Sequence, residues 1–104
     1  MIVVTREENK AVVRPAGDNI VAASVPEIRT QMRGILEQGV RELVVDLTGV
    51  QMVDSCGIGL LISAHNSLRK VGGHLAVIHA SADILELFQT MRMHQHFSVS
   101  GNEV

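Results

Sequence analysis

Apolar and polar positions along the chain fall into short runs separated by longer helical stripes. Ile2 to Thr5 and Ala11 to Arg14 are short and rich in β-branched residues, with polar Arg6 to Lys10 between them. That pattern predicts two strands joined as a hairpin. Gly17, Asp18 and Asn19 mark a turn. Next, Ile28, Met32, Ile35 and Leu36 make one apolar stripe at helical spacing. Ser24 and Glu27 stand at capping-box spacing, Pro26 suits a first turn, and Gly39 is placed to stop the helix. Leu43 to Leu47 is apolar apart from Asp46 and reads as a central strand buried on both faces.

A second short apolar piece, Val50 to Val53, ends at Asp54, Ser55 and Cys56. Ile58 to Leu68 predicts a helix that is apolar almost all round in its first half, hence buried, with Gly72 and Gly73 ending it. Leu75 to Ile78 is another strand. Ser81 caps a third helix carrying Ile84, Leu87, Phe88 and Met91 on one stripe, with Asp83 and Glu86 early enough to favour its dipole. Phe97 to Ser100 makes a last strand. The predicted order is β-β-α-β-α-β-α-β, an α/β fold with a mixed sheet and helices packed largely on one side.

Composition narrows the classes. A chain of 104 residues, 46% apolar, suits a single domain over residues 1–104 with one core. Phe88 and Phe97 are its only aromatic residues, and no basic stripe accompanies the net charge of −2. Direct nucleic-acid binding is therefore not expected. One cysteine fits a reducing compartment, and no apolar run suits a secretory signal or membrane insertion, so a cytoplasmic protein is expected.

The chemistry-bearing stretch is Asp54 to Gly59. Ser55 stands where a helix N-cap would stand, its oxygen able to accept from a first-turn amide. Gly57 and Gly59 each give up about 1 kcal/mol relative to alanine inside a helix. Two in one turn leave bare backbone beside Ser55, open to another protein and tolerant of a phosphate. A phosphoryl group there would add about −1.5 to −2 charges beside Asp54.

The run VVDLTGVQMVDSCGIGLLISAHNSLRKVGGHLAVIHAS resembles the signature region of the STAS domain of bacterial anti-sigma factor antagonists. The matching pieces are the strand and its Asp-Leu-Thr segment in Val44 to Val50, the loop Asp54, Ser55, Cys56 and Gly57, the apolar helix, and Gly72-Gly73. The resemblance implies a phosphorylation-controlled protein switch and no enzyme. Ser55 would accept phosphate from an anti-sigma factor that is also a serine kinase of the histidine-kinase-like ATPase type. Unphosphorylated, the protein would bind that kinase and free a sigma factor, and a PP2C-like phosphatase would reset it. ATP would sit on the kinase, so this chain needs no cofactor. Partner contacts would come from Asp54, Cys56, Gly57 and Gly59, with Gly17 and Asp18 contributing. Asp54 would orient the hydroxyl or touch the kinase. Two positions depart from the family: Cys56 replaces a second serine, and no second acid follows Asp18. The family's final helix would begin about where "FSVSGNEV" ends. The alternative is a STAS scaffold in a transporter ATPase or larger signalling assembly, working without phosphorylation.

Other residues carry less. Cys56 has no resolving partner, and His79, His94 and His96 lack the supporting ligands of a metal site. His65 reads as a partly buried packing residue. Met91 is expected in the core and Met93 exposed, with Met52 available to an adaptable partner groove. Arg29, Arg33 and Glu37 form a solvated face with i,i+4 pairing.

Overall fold

A computed structural model describes residues 2–101 of the chain. Seven strands and three α-helices follow in the order β1 (Ile2–Glu7), β2 (Lys10–Pro15), β3 (Asn19–Ile20), α1 (Val25–Glu37), β4 (Glu42–Asp46), β5 (Met52–Val53), α2 (Ser55–Arg69), β6 (His74–Ala80), α3 (Ala82–Thr90) and β7 (Ser98–Gly101), with a short 3-10 turn at Met93–Gln95. β1 and β2 pair antiparallel, and β2, β4, β6 and β7 continue the sheet in parallel. Each strand is laid beside its predecessor in one direction, so right-handed crossovers put the helices on one face. The predicted fold class is the one observed.

The core is a pair of rows. Ala11, Leu43 and Leu75 stand in register across the sheet, as do Val13, Val45 and Val77, and all six are buried beneath the helices. On the other face Val12, Val44 and Ala76 are only half-buried. The central strand is therefore covered on one face, not two, because no crossover returns over the second face. Phe88 fills the end of the core under α3.

Three local expectations change. Asn19 pairs with Met52 and Ile20 with Val53, a two-stranded parallel sheet where a simple turn was expected. Ser24 does not cap α1; its Oγ accepts from the amide of Val21 at 3.0 Å and faces the preceding turn. Met91 is 49% exposed while Met93 is 1% exposed. The left-handed conformation of Arg92 (φ 58°) between them reverses the chain after α3, swinging Met91 outward and Met93 into the core. Ser81 caps α3 as predicted, accepting from the amide of Ile84 at 3.3 Å. The position where the family's final helix would begin, a helix expected from the sequence to be missing or truncated, lies outside the described residues.

Candidate functional site

The site is built where two segments distant in sequence run side by side. The carbonyl of Asp18 accepts from the amides of Gln51 (2.7 Å) and Met52 (3.2 Å), and the carbonyl of Ile20 accepts from Asp54 at 3.2 Å. This zipper makes one ledge of Gly17 to Ala22 and Gln51 to Ser55. Gly17 and Asp18, both exposed, are thus brought to the same end of the molecule as Ser55.

Asp54, not Ser55, caps α2. One carboxylate oxygen accepts from the amides of Cys56 (2.9 Å) and Gly57 (3.0 Å), while the other accepts from Ala22 at 3.0 Å. Its backbone carbonyl also takes the amide of Ile58 at 3.0 Å. Two adjacent residues both suited to capping compete here. Asp54 wins because it has the extended backbone a cap requires (φ −95°, ψ −174°) and two oxygens to share. The Gly57 amide bond is the chief cause that holds its carboxyl below the ordinary range; burial opposes this, and the Ala22 and Cys56 bonds add to it. Asp54 is therefore an ionised clamp between the start of α2 and the loop before α1. Neither of its oxygens bonds the Ser55 hydroxyl.

Ser55 occupies the first position of the helix, exposed, and its hydroxyl makes no hydrogen bond among the described residues. The first-turn amides expected to stand open are instead taken by Asp54. The two glycines also separate. A Cβ on Gly57 would lie 2.5 Å from the Ile20 carbonyl oxygen and 2.7 Å from Val53 Cγ1, so Gly57 is buried for close packing and offers no partner surface. A Cβ on Gly59 would meet nothing within 4 Å. Gly59 is the bare position beside Ser55, as the sequence suggested.

The surface around Ser55 contains more than the sequence indicated. Ser55, Gly59 and Ile62 follow at i, i+4 and i+7 on one helical face. Ile62 is 37% exposed, and Met52, on the strand leading into the site, is 57% exposed. Cys56 is exposed beside them. Met52 is legible in the sequence as a candidate for a partner groove, whereas Ile62 is hidden there in an apolar run that reads as buried.

Behind the ledge, the segment from β4 to β5 is stapled to β6. Asp46 accepts from the Thr48 hydroxyl (2.6 Å) and amide (2.9 Å), and His79 Nδ1 lies 3.0 Å from the same oxygen. Burial disfavours ionisation of Asp46, but the Thr48 bonds and His79 outweigh it and lower its pKa. His79 holds φ 57° at an irregularity in β6 between Val77 and Ala80. The polar interruption at Asp46 was the visible signal for this staple. Among the described residues no three His, Cys, Asp or Glu side chains group to hold a metal ion. His65 is half-buried against His96 and Phe97, with ring centroids 6.0 and 5.7 Å apart. No helix among the described residues is long and apolar enough to cross a membrane.

Comparison with known proteins gives a consistent set of likenesses. The STAS domain family model matches residues 1–103. The anti-sigma-B factor antagonist of Bacillus subtilis is 29% identical over 98 residues, covering 94% of this chain and 88% of the relative. Among solved structures, an anti-sigma factor antagonist from Mycobacterium paratuberculosis superposes with a TM-score of 0.84 at 19% identity, covering 96% of this chain and 84% of that one. The Bacillus cell fate determinant SpoIIAA in its phosphorylated form gives 0.75 at 19% identity, covering 95% and 90%. Both structural likenesses bear on the fold.

Proposed function

The chain belongs to the STAS domain family, and from that premise we propose that it is an anti-sigma factor antagonist whose binding is switched by phosphorylation of Ser55. The observation that carries this reading is the contrast between Asp54 and Ser55. Every carboxylate oxygen of Asp54 is committed to the backbone, while the neighbouring hydroxyl is exposed and unbonded. A residue held this way can be modified without dismantling the helix start.

The partner is an anti-sigma factor that is also a serine kinase of the histidine-kinase-like ATPase type. It holds ATP, and the Ser55 oxygen attacks the γ-phosphorus while ADP leaves and a base on the kinase takes the hydroxyl proton. The kinase rests on the ledge and on Gly59, Ile62 and Met52, where a bare turn and exposed apolar groups allow close approach. Gly17, Asp18 and Cys56 border the same surface. The added phosphate finds Cys56, Gly57 and Ile58 amides already occupied. It therefore stays at the surface beside the Asp54 carboxylate, placing about two to three negative charges together. That charge breaks the docking contact and leaves the fold alone. A PP2C-like phosphatase restores the binding form. The chain's role is binding, with catalysis residing in its partners, and it acts in the cytoplasm as a single domain.

Incubating the protein with ATP and extract of its native cells, then mapping phosphate by mass spectrometry, tests this. Phosphate on Ser55, absent after Ser55→Ala, is expected. Phosphate confined to other residues, or none, would leave a non-phosphorylated scaffold as the better account.

A further inference from the structure

The groove between α1 and α2 belongs to no part of the surface at Ser55. It encloses about 320 Å3, at the small end of small-molecule sites. Both helices return from carboxyl ends of parallel strands, so they lie side by side in one direction. Met32, Leu36, Leu60, Ala64 and Leu68 line the groove, and Val71, 49% exposed, leaves an uncovered apolar end.

Its polar groups are Arg29, Arg33 and Glu37 from α1 and Ser63 and Ser67 from α2. Arg29 and Arg33 stand one turn apart on α1, Ser63 and Ser67 one turn apart on α2, and all four line the groove. Like charges at i and i+4 cost a helix stability. Glu37 was expected to pair with Arg33, but neither arginine makes an ion pair or hydrogen bond among the described residues. With Glu37 the only carboxylate in the lining, the groove carries one net positive charge.

We propose that this groove binds a small amphipathic carboxylate, a single anionic head on an unbranched apolar tail. The head lies between Arg29 and Arg33, relieving their repulsion, and accepts from the Ser63 hydroxyl. The tail runs along Leu36 and Leu68 and covers Val71. One net positive charge calls for a single anion, and a channel between two aligned helices calls for a narrow tail. The proposal stands independently of phosphorylation at Ser55.

Decanoate, kept below its micelle concentration, is titrated into the isotope-labelled full chain and followed by amide chemical shifts. Saturable shifts at Leu36, Ala64 and Ser67, with none at Ser55, are expected. The dissociation constant should rise at least tenfold in the Arg29→Gln/Arg33→Gln variant and at least tenfold when decanol replaces decanoate. Ser67→Phe, which fills the groove, should abolish the shifts while keeping a folded amide spectrum. Absence of saturable shifts, shifts confined elsewhere, or equal binding of decanol would overturn the proposal.

Discussion

Replacing Gly57 with alanine should destabilise the domain, whereas the same change at Gly59 should stabilise it. Each substitution gains about 1 kcal/mol of helix propensity. At position 57 the new methyl would stand 2.5 Å from the Ile20 carbonyl oxygen and 2.7 Å from Val53 Cγ1, far inside the 3.5–4.0 Å of normal contact. Neither neighbour can yield alone. Ile20 and Val53 are strand partners, and the Ile20 carbonyl also holds the Asp54 amide. Overpacking of this kind costs about 1–3 kcal/mol, and a backbone obstacle puts it at the upper end. The net loss is about 2 kcal/mol, against a gain of up to about 1 kcal/mol at the open Gly59. Urea unfolding would read a gap of about 3 kcal/mol, and thermal unfolding one of roughly 12 °C or more. A Gly57→Ala protein as stable as its parent would refute the packing argument for the Ile20 junction.

Other consequences follow from the same geometry. Ser55→Ala should change stability by less than about 0.5 kcal/mol in urea, because Ser55 is exposed and does not cap; a larger loss would make it structural. Asp54→Ala should lower the melting temperature and loosen α2 first, seen as faster hydrogen exchange at Cys56 and Gly57; unchanged protection would contradict the clamp. Stability should also fall with acid in two windows. Burial, with Arg69 and His96 nearby, lowers the pKa of His65 from 6.5. The unfolded chain then binds its proton first, so stability is full above about 6.5 and declines as pH falls through the folded value. His65→Gln should flatten that limb. Asp46 and Asp54, also depressed, stabilise above the ordinary carboxylate pKa and lose that contribution at still lower pH. A flat profile between pH 7 and 5 in the parent would contradict the His65 assignment.

What the sequence could convey depended on the range of the deciding contact. The strands around Leu43 and Leu75 and the Ser81 cap are local, and they were legible. Gly57 and Gly59 look alike in sequence, yet Ile20, more than thirty residues away, makes one a packing necessity and leaves the other open. Asp54 and Ser55 are both good caps, and only the Ala22 amide across the ledge shows why the acid is used. Met91 and Met93 exchanged roles through one left-handed residue, Arg92, whose side chain gives no hint of it. The two-residue strands β3 and β5 are too short to leave a period, although they hold the site together.

We propose above all that Ser55 is the control point of a docking surface. The most direct test of this proposal uses Ser55→Ala and Ser55→Glu proteins as baits in extract of the native cells, with retained proteins quantified by mass spectrometry. A kinase of the histidine-kinase-like ATPase type should be held by the alanine bait and lost from the glutamate bait. Equal retention of that kinase by both baits would contradict it.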